Sequence, residues 1–252
     1  MILAILQARL SSSRLPGKVL KPILSKPMLI HQIERVRRSK LIDELVVATS
    51  CEESDDQLEH CLKQAGCKVY RGDLSDVLSR FCGAAQQLPE ASTIVRLTGD
   101  CPLTDWNVLD AAIAYFKANS FDYVSNADPA TWPDGLDVEV MTRSALFDAG
   151  KHAKLKSDRE HVTSYIRNNK QHYRIGTLLN DEDLSTLRWT VDEPEDFAFV
   201  TKVYDRLYSS NPNFATKEIL DLIAVEPDLI QNSHLKRNEG YLKSLANDRN
   251  AP

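Results

Sequence analysis

The sequence offers no way to pair its cysteines. The five, Cys51, Cys61, Cys67, Cys82 and Cys101, are odd in number and include no CxxC. Neither a disulfide framework nor a zinc site is expected, and reduced thiols are the simpler reading. Long apolar runs are also missing: no stretch reaches about eighteen residues, and no basic segment precedes an apolar core at the N-terminus. A cytoplasmic protein with no signal peptide and no membrane contact is the expectation. A basic surplus is absent as well. Thirty-one Lys and Arg against 36 Asp and Glu leave a net charge of −5, which argues against a non-specific nucleic-acid partner. There is no internal repeat, no low-complexity tract, no GxxxxGK[ST] loop, and no Ser-His-Asp or Cys-His arrangement.

What is present is a 42% hydrophobic chain of 252 residues, enough for a sizeable core. Short β-rich runs alternate with helix-period segments, the pattern of an α/β protein whose parallel sheet is covered on both faces. Strands are predicted at Ile2–Leu6, Glu44–Thr49, Lys68–Tyr70, Thr93–Leu97 and Phe121–Val124. Helices are predicted near Pro27–Ser39, Ser54–Ala65, Leu74–Leu88 and Asp105–Asn119. The second half is less regular, with strands predicted at Leu136–Met141 and Thr186–Val191 and helices at Asp158–Asn168, Pro194–Tyr208 and Thr216–Ala224. One domain over residues 1–252, with an inserted lobe at about 126–180, fits this better than two domains. Ligands of such sheets bind beyond the carboxyl ends of the strands, so the loops after Leu6, Thr49, Tyr70 and Leu97 should share a rim.

Those loops hold the unusual residues. Ala8 to Lys18 reads ARLSSSRLPGK. Gly and small hydroxyl residues let backbone amides approach an anion, and Arg9, Arg14 and Lys18 supply charge, so phosphate is the preferred ligand. In Val95–Pro102, VRLTGDCP, an apolar strand stops at Gly-Asp and holds Asp100 where a phosphate-bound Mg²⁺ would need a carboxylate. Magnesium takes only one or two protein carboxylates and fills its shell with water and substrate oxygens. Asp192 in RWTVDEPED is the second candidate, with Glu195 and Asp196 read as caps of the helix that Pro194 opens.

Arg71 in YRGD either meets a nucleotide or substrate, or pairs with Asp73 or Asp76, and Thr49-Ser50 could face a base. In the lobe, Asp137 and Glu139 of GLDVEV alternate with apolar residues, so both would share one strand face and hold substrate hydroxyls or a cation. Arg159 and His161 of SDREHV are candidates for a substrate carboxylate or for structural ion pairs.

QARLSSSRLPGKVL, RLTGDCPLTD and TVDEPEDF, in that order, resemble the spore coat polysaccharide biosynthesis protein F family, within the wider cytidylyltransferases that make CMP-activated acidic sugars. GLDVEV, SDREHVTSYI and NEGYLKSL extend the resemblance over nearly the whole chain. It implies a nucleotide-diphospho-sugar transferase (GT-A-like) three-layer fold with a mixed, mainly parallel sheet. It also implies attack by a sugar-acid hydroxyl on the α-phosphorus of CTP, release of pyrophosphate, and a homodimer. By the same resemblance Arg9 and Lys18 hold the triphosphate, Ser12, Ser13 and Gly17 shape the loop from Ala8, and Asp100 and Asp192 carry Mg²⁺. Gly-Asp-Cys-Pro stands here where the ketodeoxyoctonate branch reads Gly-Asp-Glu-Pro. A glycosyltransferase on the same fold, or a nucleotide-binding protein without activity, are the competing readings.

Overall fold

A computed structural model of the chain describes residues 1–237 and 239–249. The chain begins with β1 (Ile2–Gln7), a short hairpin of β2 (Pro22–Ile23) and β3 (Lys26–Pro27), and α1 (Met28–Val36). It continues through β4 (Glu44–Ser50), α2 (Asp56–Gln64), β5 (Lys68–Gly72), α3 (Val77–Gln86), β6 (Thr93–Thr98) and α4 (Trp106–Ala118). Then follow β7 (Tyr123–Ser125), β8 (Glu139–Thr142), α5 (Arg143–His152), α6 (Lys156–His161), α7 (Ser164–Asn168) and β9 (Ile175–Thr177). The chain closes with α8 (Pro194–Leu207), α9 (Thr216–Val225) and α10 (Glu239–Arg249).

Seven strands form one sheet in the order β5-β4-β1-β6-β8-β7-β9. All neighbours are parallel except β8, which runs against both β6 and β7. Segment 126–180 thus contributes β8 and β9 to the same sheet that β1 opens. The sheet separates two apolar layers because strand side chains alternate. Ala4, Leu6, Val95 and Leu97 face α1, α4 and α8, whereas Leu3, Ile5, Ile94 and Met141 face α3 and α5.

Side-chain caps end several helices where polar residues were available. Asp76 accepts from Ser79 N at 2.9 Å to start α3, and Asp105 from Asn107 N at 2.8 Å to start α4. Two sequence expectations fail. Thr186–Val191 forms no strand: it makes a single parallel bridge, Asp134 with Arg188, and is otherwise irregular. Trp189 and Val191 are buried by packing in the α1/α4/α8 layer, so their apolar character reflects burial without a ladder. The helix predicted over 158–168 is two short helices, because Val162 between them takes φ 61, a left-handed conformation that interrupts helical geometry.

Candidate active site

The loop after β1 is folded on itself. The Leu10 carbonyl accepts from Ser12 N at 2.8 Å and from Gly17 N at 3.0 Å, while Leu10 N donates to Asp55 at 2.7 Å. Gly17 takes φ 68, which glycine adopts without a Cβ penalty, and opens a 3₁₀ turn over Lys18–Leu20. That turn carries the Lys18 side chain inward, where it is buried.

Its ammonium gathers the two aspartates that the sequence singled out. Lys18 Nζ donates to the Val191 carbonyl at 2.7 Å, to Asp192 at 2.8 Å and to Asp100 at 3.4 Å. Burial opposes the charge on Lys18, but Asp100 and Asp192 outweigh it and raise the ammonium above its ordinary value. Burial likewise pushes Asp100 up, and the Lys18 charge overrides it to hold that carboxyl below the usual range.

Each aspartate is placed by its backbone. Gly99 N donates to Gln7 O at 2.8 Å, and a Cβ on Gly99 would come within 2.9 Å of Ala8 Cβ, so the Gly-Asp turn needs glycine to lie against the start of the loop. Ala8 is a buried spacer there. Asp192 hangs from Asp196, a fully buried carboxylate that accepts from the backbone N–H of Asp192 at 2.9 Å and of Glu193 at 3.0 Å. Asp196 therefore closes the first turn of α8, as its reading as a cap anticipates, while Glu195 is exposed. Arg188 meets Asp196 with two bonds of 2.9 Å, and Asp134 at 3.0 Å. Asn232 adds a bond of 2.8 Å to Asp196. Burial resists the charge on Asp196, yet Arg188 and the backbone amides hold its carboxyl below the ordinary value.

The remaining loop cations face outward. Arg14 reaches Asp192 at 3.0 Å and Glu193 at 3.5 Å. Arg9 is exposed and has no carboxylate within salt-bridge range among the described residues. Arg80 is buried nearby: burial first, and then the charge of Arg9, push its guanidinium down to about 10. Ser12 accepts from Leu15 N at 3.4 Å and Ser13 is exposed.

Other sequence candidates go elsewhere. Thr49 is fully buried below the rim, where it cannot face a base, and Ser50 donates to Asp55. Arg71 is held by α2 and the preceding loop, through Asp56 at 2.6 Å, Glu59 at 2.9 Å and the carbonyls of Ser50 and Glu52 at 2.8 Å each. Asp56 and Glu59 thus stand where a pairing with Asp73 or Asp76 was expected. Arg159 is bound to Asp76 by two bonds and to the Gly150 carbonyl at 2.8 Å, an ion pair that fastens α6 to α3. Asp137 precedes β8 instead of sharing its face, and pairs with Arg237. Glu139 does open β8, where it is paired with Arg96 and accepts from Tyr123 and from Thr163 at 2.5 Å. It is a buried junction, not a free acceptor for hydroxyls. His161 is partly buried, with its ring edge-on to Tyr241 at 5.0 Å.

Sequence reasoning missed Asp55, Asp134, Arg188 and Arg237, all of which position the loop or the aspartates. Only the Pro-Asp-Gly triplet held a usable signal. Gly135 has φ +110, and a Cβ there would stand 2.5 Å from Thr190 N, so PDG must lie against the segment that leads to Asp192.

Asp100 and Asp192 are oxygen donors converging on one cationic point, which suits a hard divalent ion that draws its other ligands from water and phosphate. Among the described residues no group of three or more His, Cys, Asp or Glu is arranged to hold a metal unaided. No helix of the described residues is long and apolar enough to cross a membrane.

Residues 3–235 match the family model described as cytidylyltransferase. The chain is 39% identical over 237 residues to the spore coat polysaccharide biosynthesis protein SpsF of Bacillus subtilis (strain 168), covering 90% of this chain and 95% of that protein. Over 119 residues it is 38% identical to 3-deoxy-manno-octulosonate cytidylyltransferase 2 of Hydrogenovibrio crunogenus (strain DSM 25203 / XCL-2), 46% of each chain. A solved cytidylyltransferase from Leptospira borgpetersenii serovar Hardjo-bovis (strain JB197) superposes with a TM-score of 0.87 at 31% identity, covering 94% of this chain and 99% of that one. These matches favour nucleotidyl transfer over glycosyl transfer or a protein without activity. The chain belongs to the cytidylyltransferase family, and is a nucleotidyltransferase.

Proposed function

We propose that the chain transfers CMP from CTP to a sugar acid, with release of pyrophosphate, in the synthesis of a polysaccharide or surface glycan. The observation that carries this reading is the convergence of Asp100 and Asp192 on Lys18, directly beside a loop that presents Arg9 and Arg14 at the carboxyl end of β1. In the reaction a sugar hydroxyl oxygen bonds to the α-phosphorus, the bond from that phosphorus to the bridging oxygen breaks, and the hydroxyl proton is lost. Such chemistry depends on positioning and charge neutralisation more than on a covalent nucleophile.

Asp100 and Asp192 would hold Mg²⁺, which when bound supplies Lewis-acid stabilisation of charge on the phosphoryl oxygens. Lys18 and Arg9 offset charge on the departing pyrophosphate, and the folded loop from Ala8 through Ser12, Ser13 and Gly17 fixes where they stand. Segment 126–180 forms the acceptor side. Calorimetric titration tests the nucleotide half: CTP should bind in a Mg²⁺-dependent way, and Asp100→Asn should abolish the dependence. CTP binding by that variant that still depends on Mg²⁺ as the wild type does would contradict the assignment.

A further inference from the structure

A second charged cluster lies on the same rim, on the sheet face that carries Ile5, Ile94, Tyr123 and Met141. Arg96 of β6, His161 of α6 and Arg167 of α7 surround Glu139, and none of the three is fully satisfied. Arg96 Nε, His161 Nε2 and Arg167 Nε are all buried without a hydrogen-bond partner. Leaving such donors unmatched is costly unless a ligand completes them.

The charges do not balance either. Glu139 is paired with Arg96. Arg167 has no carboxylate within salt-bridge range among the described residues, and its hydrogen bond there is a 3.4 Å donation to Ser164. Its guanidinium instead lies over the Tyr241 ring, 4.9 Å from the centroid, the same ring that meets His161. His161 is kept neutral because burial, reinforced by Arg96 and Arg167, lowers its proton affinity. Immediately around Glu139 two guanidiniums face one carboxylate, while half-exposed Glu160 lies 3.9 Å from His161 Nε2.

The cluster adjoins the reaction site. Arg96 donates to the Gln7 side chain at 3.4 Å, one residue before the phosphate loop, and stands four residues ahead of Asp100. We infer that Arg96 and Arg167, with His161 and under the ring of Tyr241, bind the carboxylate of the acceptor sugar acid. The assignment rests on the functional reading above and adds the group recognised and the residues that recognise it. A single carboxylate can take a guanidinium fork, whereas a phosphate dianion would overcharge a site that already holds Glu139 and, beside His161, Glu160. It also gives α10 a role, as the wall that brings Tyr241 over the acceptor.

The test is calorimetric binding by the full chain of 3-deoxy-manno-octulosonate, N-acetylneuraminate and gluconate, each beside its methyl ester, and of inorganic phosphate. CTP with Mg²⁺ is titrated separately. At least one acid should bind, its ester at least tenfold more weakly, and Arg167→Met should weaken the acid at least tenfold while CTP binds as to wild type. Arg167→Lys should recover part of the loss. Equal binding of acid and ester, an undiminished affinity in Arg167→Met, a preference for phosphate, or failure of every acid to bind while CTP still does would overturn the pocket. Failure of CTP to bind, with the acid still bound through Arg167, would instead overturn the functional reading and leave the pocket standing.

Discussion

Replacing Lys18 by Met removes the one ammonium that holds two carboxylates and a carbonyl together while keeping most of the side chain's volume. Lys18 is about one-tenth exposed, and Asp100 and Asp192 are about a quarter and a fifth exposed. Breaking a fully buried ion pair by removing one partner costs about 3–5 kcal/mol. The partial access of water to both aspartates trims this to about 2–4 kcal/mol. For a chain of this length that is a fall in melting temperature of roughly 5–15 °C, at about 2–4 °C per kcal/mol. Thermal unfolding in EDTA should show the fall. Saturating Mg²⁺ should then stabilise Lys18→Met more than wild type, because Asp100 loses its cation and Asp192 keeps only Arg14 at 3.0 Å and Arg188 at 3.4 Å. A variant that melts with wild type in EDTA would refute the buried triad. One whose deficit Mg²⁺ leaves unchanged would refute Asp100 and Asp192 as a joint cation site.

Arg188→Met should cost about 3–5 kcal/mol in urea unfolding, since it leaves Asp196 fully buried without its partner; a loss below about 1 kcal/mol would show that Asn232 and the backbone amides suffice. Gly135→Ala should destabilise by at least about 2 kcal/mol more than Gly66→Ala. Both have positive φ, but the new Cβ meets Thr190 N at 2.5 Å in the first and open space in the second. Equal melts would refute the close approach. His161 has its pKa lowered to about 4 from 6.5. Its neutral form is therefore favoured by folding, and its contribution is present above pH 6.5 and lost as pH falls to about 4, where it removes roughly 1–3 kcal/mol. His161→Asn should flatten that part of the stability profile in pH-dependent urea unfolding, and an unchanged slope would contradict the burial of the imidazole.

The central strands were legible because parallel strands covered on both faces read as unbroken apolar runs, as in Ile2–Leu6 and Glu44–Thr49. The loop cations and Asp100 were legible because each follows such a run where the rim must be, whereas Asp192 follows an apolar segment that is buried without joining the sheet. Other features depend on partners distant in sequence. Thr186–Val191 has the composition of a strand, yet Trp189 and Val191 are buried against helices and Gly135 instead of along a ladder. The left-handed turn at Val162 has no residue signal, since valine disfavours it. Arg71 and Arg159 each need an anionic partner, and the carboxylates that pair with them, on α2 and at the start of α3, become neighbours only after folding. For the same reason Arg237, 100 residues from Asp137, carried no local sign of its role.

The most direct test of the account is pyrophosphate release, measured with Mg²⁺ and each of the four nucleoside triphosphates against a panel of nonulosonic and other sugar acids. Release is predicted with CTP and at least one acid, and should be lost in Lys18→Ala and in Asp100→Asn. Release that persists in both variants, or that requires a nucleotide other than CTP, would contradict it.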